Sequence, residues 1–131
     1  MTDRELAALA YAMLDKAYVP YSKFPVGAAL LCADGTVFTG CNVENAAYGS
    51  TICAERTALV KAVSEGHRDD FIKLAVVGNC TDYCGPCGAC RQMLYEFAPN
   101  LELLLGRGDR EFMKTTLAEL LPYGFGPKSL Q

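Results

Sequence analysis

Two short cysteine motifs hold the residues best suited to chemistry. Cys87 and Cys90 lie three residues apart at the predicted start of a helix, so both thiols share one helix face and can bind one ion. A helix N-terminus favours anions, which helps a thiolate to form and to bind a metal. Taken alone, the Cys-x-x-Cys pair is compatible with zinc ligation, with a redox dithiol or with an accidental spacing.

A second motif, Cys53-Ala54-Glu55, begins the predicted helix before the strand that leads to Cys87. Helix starts of this kind tend to open at one edge of a sheet, so sulfurs from two helix N-termini can meet around one Zn²⁺. Catalytic zinc has three protein ligands and keeps its fourth position for water, whereas structural zinc has four. Glu55, near the metal but not bound to it, would take a proton from that water and return it to a leaving group. Alternatively, Glu55 only favours the dipole of its helix.

The residues around these motifs leave the ligand set open. Arg56 could hydrogen-bond the ligand sulfurs, which would restore acidity to a metal that three thiolates make a poorer acid. Arg56 could equally be a solvated helix residue, and the same two interpretations apply to Arg91. Cys84, Cys87 and Cys90 are spaced evenly by three, so the spacing itself does not say which two bind the metal.

Length and composition predict a single domain over residues 1–131. The chain is 51% apolar and 21% charged, as in a compact soluble protein. A net charge of −3 and a pI of about 5.1 argue against binding to nucleic acid, which needs clustered Lys and Arg. No uncharged stretch approaches the ~20 residues that span a bilayer. The N-terminus resembles an amphipathic helix more than a signal peptide. A cytoplasmic location is therefore expected. Seven cysteines, an odd number, favour thiolate or metal chemistry over disulfides.

Periodicity and turn residues predict the elements that must position these motifs. A capping box at Thr2 precedes an apolar helical period over about 3–18, and Asp34-Gly35 predicts a hairpin turn. The same kinds of signal predict strands at Val26–Cys32, Val37–Asn42, Phe71–Gly78 and Leu101–Leu105, a possible strand at Glu111–Thr115, helices at Cys53–Glu65 and Gly88–Phe97, and a short helix opened by Thr116–Glu119. Strand–helix–strand alternation implies parallel neighbours. The predicted fold class is α/β, a three-layer α-β-α sandwich around one mixed sheet of about five strands.

The two motifs resemble the signature of the zinc nucleoside and nucleobase deaminases, in which His-x-Glu, or its three-cysteine form, accompanies Pro-Cys-x-x-Cys. More narrowly, the chain resembles the small homotetrameric cytidine deaminases over nearly its whole length. Four blocks carry this resemblance in order: Tyr21–Ala29, Asn42–Tyr48, Cys53–Ala58 and Pro86–Gln92. The family pattern selects Cys87 and Cys90 as ligands. Cys84 is then an additional thiol, which could be sensitive to oxidation or be an alternative ligand.

The resemblance implies a cytidine deaminase-like fold and hydrolytic deamination of free cytidine, and of deoxycytidine, to the uridine product and ammonia in pyrimidine salvage. One Zn²⁺ per chain, held by Cys53, Cys87 and Cys90, would activate the water that attacks C4 of the base, while Glu55 moves the protons. The resemblance also implies a homotetramer with shared active sites. It assigns six substrate-binding residues: Phe24 in the pocket wall, Asn42 and Glu44 on the ribose hydroxyls, Ala54 with its N–H on the base carbonyl, Tyr48 in a neighbouring subunit's site, and Phe125 stacked on the pyrimidine.

Other interpretations stay open at the level of sequence. Phe24 and Phe125 could be core or interface residues, and Asn42–Asn45 could be a solvated loop. A deaminase of another small cytosine nucleoside, such as a nucleoside antibiotic, would share the zinc centre but not need the ribose contacts. A polynucleotide editor is disfavoured by the acidic pI and short chain, and a structural zinc or iron–sulfur module would leave the second motif unexplained. His67, the single histidine, is expected to be a surface residue without a catalytic part.

Overall fold

The computed structural model describes residues 1–131 and places one five-stranded mixed sheet at the centre of the chain. Its strands are β1 (Val26–Cys32), β2 (Val37–Cys41), β3 (Phe71–Gly78), β4 (Glu102–Gly106) and β5 (Phe112–Thr116). The order across the sheet is β2-β1-β3-β4-β5, with β3 and β4 parallel and the other pairs antiparallel. The predicted mixed sheet of about five strands is confirmed, and the possible last strand is real.

Helices cover both faces of this sheet, as the three-layer prediction requires. They are α1 (Asp3–Ala12), α2 (Ala54–Ser64), α3 (Gly88–Phe97) and the short α4 (Leu117–Leu120). On one face, α1 buries Leu6 and Ala10 against the sheet. On the other face, α2, α3 and α4 enclose the larger core, to which Leu59, Leu94 and Leu117 belong. None of these helices combines the length and apolarity needed to cross a bilayer.

The first helix ends earlier than its apolar period predicts. The capping box at Thr2 forms as expected, with the N–H of Glu5 donating to the Thr2 hydroxyl at 3.1 Å. A 3-10 turn follows α1 and ends at Lys16, short of the predicted end near residue 18. The N–H of Tyr18 donates instead to the carbonyl of Asn42 at 3.0 Å. Pairing with the segment after β2 therefore competes with the last helical turn.

Close contact between β2 and α2 determines where the N-terminal end of α2 lies. A Cβ added at Gly40 would lie 2.4 Å from Ala54 O and 2.6 Å from Ala58 N, which are backbone atoms that cannot rotate away. We expect Gly40→Ala to push α2 off the sheet and to lower the free energy of unfolding by roughly 1–3 kcal/mol. Urea denaturation measures this change. Gly49→Ala is the control, because nothing lies within 4 Å of a Cβ at Gly49. Equal stability of the two variants would contradict this account of the packing.

Candidate active site

The two cysteine motifs meet at the N-terminal ends of α2 and α3. Cys53 is the N-cap residue of α2 and Cys87 is that of α3, and neither side chain caps its own helix. The two sulfurs lie 3.8 Å apart, and Cys87 Sγ lies 3.4 Å from Cys90 Sγ. All three sulfurs lie within 4.8 Å of one another. The structure thus brings together the three thiols that the sequence predicted as metal ligands.

The spacing and chemistry of this three-thiol cluster suit zinc. Tetrahedral coordination with zinc–sulfur bonds of about 2.3 Å would separate the ligand sulfurs by about 3.8 Å. The two measured separations, 3.8 and 3.4 Å, are close to that value. Thiolates are soft donors, and zinc is one of the metals that they select. Three such ligands can hold the ion and leave one coordination position to a small molecule, as catalytic zinc requires.

Hydrogen bonds favour a thiolate within the cluster. A hydrogen bond with the Cys90 thiol has the largest effect and lowers the pKa of Cys53 to about 5, although burial opposes it. Arg56 acts in the same direction as Cys90, because its Nη2 lies 3.6 Å from Cys53 Sγ. The hydrogen bond with Cys53, together with burial, raises the pKa of Cys90, which stays a thiol. Cys53 therefore favours the thiolate form at neutral pH, and a divalent cation would stabilise that negative charge.

The two neighbouring arginines have different roles. Beside its contact with the cluster, Arg56 donates from Nη2 to Thr51 O at 3.5 Å, and its Nε is buried without a partner. A solvated helix arginine would not be held in this way. Arg91 donates from Nε to Pro86 O and from Nη1 to Leu120 O, both at 2.8 Å. Arg91 therefore ties the loop before α3 to α4, whereas Arg56 is the arginine that contacts a sulfur.

Glu55 is buried beside the cluster. It lies in the first turn of α2, it is 4% exposed, and it lines the same cavity as Cys53 and Cys87. Burial raises the pKa of the Glu55 carboxyl, and the charge of Cys53 acts in the same direction. A carboxylate that only favoured the helix dipole would do so at lower cost in water, because desolvation of a charge is unfavourable. A buried carboxyl with a raised pKa is suited to general acid–base chemistry.

An open cavity adjoins the three-thiol cluster. Its volume is about 190 Å³, and it opens to solvent. Three of the predicted substrate-binding residues, Phe24, Asn42 and Ala54, line it. An aromatic residue, an asparagine and the first residue of α2 therefore line the same space as the thiols. This combination can hold a flat, polar molecule next to a metal.

Some cavity residues carry no functional signal in the sequence. These are Val26, Thr51, Ile52, Val76 and Gly85. Val26 and Val76 lie in buried strands, where an apolar run does not indicate which end faces a cavity. In the sequence, Cys84 is notable only as an additional thiol. It is buried and lines the cavity, but it lies outside the group of three sulfurs.

Asn42 and Glu44 both hold the loop that carries Phe24. Asn42 Oδ1 accepts a hydrogen bond from the N–H of Val26 at 2.9 Å, and its Nδ2 donates to Phe24 O at 3.0 Å. Glu44 Oε1 accepts from two backbone N–H groups earlier in the same loop, at 3.0 and 3.1 Å. Asn42 lines the cavity, whereas Glu44 lines an adjoining open depression. The two residues expected to contact a sugar therefore also position the cavity wall.

Tyr48 and Phe125 lie outside the cavity of their own chain. Tyr48 is 75% exposed and lines the depression with Glu44, where its ring centroid is 5.9 Å from that of Tyr21. Phe125 is 58% exposed in the C-terminal segment, and its carbonyl accepts a hydrogen bond from Gln92 at 2.8 Å. Neither aromatic ring is among the residues that line the cavity. Both rings are open to contact with another molecule.

Known proteins resemble this chain in sequence and in structure. The family model for the cytidine and deoxycytidylate deaminase zinc-binding region matches residues 1–102. A cytidine deaminase of Sporosarcina psychrophila is 52% identical over 117 residues, which are 88% of this chain and 85% of that protein. The crystal structure of cytidine deaminase from Burkholderia pseudomallei matches with a TM-score of 0.93 and 49% identity, over 95% of this chain and 100% of that one. For the enzyme from Mycobacterium tuberculosis, the TM-score is 0.81 at 42% identity, over 96% and 99% of the two chains. The chain therefore belongs to the cytidine and deoxycytidylate deaminase zinc-binding family.

Proposed function

We propose that the chain is a zinc-dependent cytidine deaminase, which hydrolyses cytidine and deoxycytidine to uridine or deoxyuridine and ammonia. One observation carries the proposal: a buried carboxyl, Glu55, lies beside three converging thiols at an open cavity. The relatives named as cytidine deaminases support the choice of substrate. One Zn²⁺ per chain is held by Cys53, Cys87 and Cys90. When bound, zinc lowers the pKa of a water molecule and so supplies a nucleophile near neutral pH.

Glu55 moves two protons in this reaction. It first accepts a proton from the attacking water and delivers it to N3 of the base as the new C4–O bond forms. It then transfers the second water proton to the amine, so that the C4–N bond breaks and ammonia leaves. The products are the uracil nucleoside and ammonia, which together contain all the atoms of the substrate and one water. The raised pKa of Glu55 suits this double role, because the same group must act as a base and then as an acid.

The remaining predicted residues hold the nucleoside. The N–H of Ala54 is free at the start of α2 and donates to the base carbonyl. Asn42 and Glu44 bind the ribose hydroxyls, and Phe24 forms a wall beside the base. These contacts favour a free nucleoside over the bare base, which would leave the sugar-binding groups without partners.

A homotetramer with shared active sites would use the exposed aromatic rings. Tyr48 would extend into a neighbouring subunit's site, and Phe125 would stack on a pyrimidine across a subunit boundary. Their exposure of 75% and 58% in the single chain supports such contacts. A cytoplasmic location in pyrimidine salvage fits a free nucleoside substrate. The single domain over residues 1–131 stays a prediction, supported by a sheet whose strands run from β1 to β5.

A comparison of four substrates tests the proposed function. We expect kcat/KM for cytidine and deoxycytidine to exceed that for cytosine and CMP by at least about 100-fold, because only the nucleosides satisfy the ribose contacts without adding a phosphate charge. The loss of cytosine absorbance measures each rate. Absence of cytidine turnover in the zinc-loaded protein would overturn the proposal. Turnover of a modified cytosine nucleoside alone would favour the nucleoside-antibiotic alternative.

Arg56 is expected to support the metal through its contact with Cys53. We predict that Arg56→Ala lowers zinc affinity or kcat by about 10- to 100-fold, because the guanidinium hydrogen bond tunes a ligand sulfur. Competition with a chromogenic chelator measures the affinity. Arg4→Ala, which removes an exposed arginine from α1, is the control. If Arg56→Ala changed both zinc affinity and kcat by less than twofold, Arg56 would be an ordinary helix residue without a role at the metal.

A further inference from the structure

A second cluster of metal-binding side chains lies at the opposite end of β1 and β3 from the active site. The first strand ends at Cys32, opposite Phe71 at the start of β3, whereas the cavity lies near Val26 and Gly78 at the other end of the same pair. His67 follows α2 there. Its side chain is 17% exposed, so His67 lies at the surface but is largely covered by its neighbours.

The donor atoms of this second cluster lie close enough together to bind one ion. One donor atom each from Cys32, His67 and Asp70 lies within 4.8 Å of the other two. His67 Nδ1 lies 2.7 Å from Asp70 Oδ2, and His67 Nε2 lies 4.0 Å from Asp34 Oδ2. Cys32 is fully buried, whereas the side chain of Asp34 is 57% exposed. The cluster therefore has a buried thiol at its base and an acidic side chain at its opening to solvent.

Backbone hydrogen bonds hold these residues in place. The N–H of Ala33 donates to Asp70 O at 2.8 Å, which joins the end of β1 to the segment before β3. The N–H of His67 donates to Ala62 O at 3.0 Å, which anchors the histidine to the last turn of α2. The hairpin turn is closed by the N–H of Cys32, which donates to Thr36 O at 2.9 Å. Two segments distant in sequence, residues 32–36 and 62–70, thus present their side chains to one point without any need for a bound ion.

An unpartnered oxygen points to a missing cation. Asp70 Oδ1 is buried and has no hydrogen-bond partner, although Oδ2 of the same carboxylate is bound to His67. A buried carboxylate oxygen without a donor is costly, and native proteins rarely keep one. A cation beside Oδ1 would remove this cost. This observation is independent of the spacing of the three side chains.

We propose that Cys32, His67 and Asp70 bind a second zinc ion. A thiolate, an imidazole and a carboxylate are all donors that bind zinc in proteins. Binding releases the proton of the Cys32 thiol to solvent, since the thiolate is the ligand. The ion would connect the first hairpin to the turn between α2 and β3. Its role is to stabilise this end of the fold, and it takes no part in deamination.

Zinc stoichiometry tests this second site. After equilibration with excess zinc and removal of free metal, we expect about two zinc ions per chain in the unmodified protein and about one in His67→Gln and in Cys32→Ala. The variant Cys87→Ser should also keep about one, at the second cluster. Glu65→Gln changes an exposed acid near His67 and should keep about two. Elemental analysis of the dialysed proteins measures these numbers.

The outcomes separate this proposal from the proposed function. His67→Gln should keep cytidine turnover within about twofold, because the second cluster is remote from the cavity. One zinc per unmodified chain, or two in both His67→Gln and Cys32→Ala, would overturn the second site and leave the deaminase proposal intact. If the unmodified protein bound two zinc ions but did not turn over cytidine, the second site would stand and the deaminase proposal would fail. If Cys32→Ala fails to fold, His67→Gln still decides the question, since glutamine can replace the hydrogen bond to Asp70.

Discussion

Glu55→Gln should lower kcat for cytidine by about 10²- to 10⁴-fold and leave the bound zinc unchanged. Glutamine has nearly the same shape as glutamate but cannot accept or return a proton, so the loss measures general acid–base catalysis. The Glu55 side chain is almost fully buried, so bulk water cannot easily transfer these protons in its place. Steady-state absorbance assays give kcat, and elemental analysis of the same sample gives the zinc content.

A matched change just beyond the C-terminal end of the same helix is the control for this experiment. Glu65 follows the last residue of α2 and is exposed, so Glu65→Gln makes the same chemical change far from the cavity. We expect Glu65→Gln to keep kcat within about twofold. If Glu55→Gln retained more than a tenth of the activity with zinc bound, another group would have to move the protons. If Glu55→Gln lost its zinc, the glutamate would be a ligand and the role assigned to it would be wrong.

Cys87→Ser should abolish zinc binding at the active site, whereas Cys84→Ser should retain it. A neutral serine hydroxyl is a poor substitute for a thiolate ligand, and two remaining thiols do not make a stable zinc site. We therefore expect cytidine turnover by Cys87→Ser to fall by at least about 100-fold. Cys84 lines the cavity but lies outside the group of three sulfurs, so its replacement should change KM by no more than several-fold.

Cys84→Ser and Cys87→Ser can be compared directly, because both replace cysteine by serine at positions three residues apart. Both side chains belong to the segment between β3 and α3, and general disturbance of that segment would affect both variants alike. Cobalt substitution offers a second readout, since thiolate–cobalt absorption should weaken in Cys87→Ser and persist in Cys84→Ser. If Cys84→Ser lost the active-site zinc and Cys87→Ser kept it, Cys84 would be a ligand and Cys87 would not.

Local signals in the sequence were sufficient for most of the fold. The capping box at Thr2, the Asp34-Gly35 turn and the helix starts at Cys53 and Cys87 each involve residues a few positions apart. Such short-range preferences act before any tertiary contact forms, and they can be predicted one segment at a time. The end of the first helix could not be predicted in this way, because pairing of Tyr18 with the segment after β2 decides it.

The residue types and spacings available for chemistry can be seen in the amino-acid sequence: two cysteine motifs at helix starts and a glutamate within one of them. Which of these residues meet depends on tertiary contacts. The contact between Cys53 and Cys87, the position of Cys84 outside their cluster and the meeting of Cys32 with His67 all depend on distant segments. These contacts follow from strand order and from the packing of helices on the sheet. The hydrophobic periodicity of a single segment cannot predict these contacts, because periodicity shows only which face of that segment is buried.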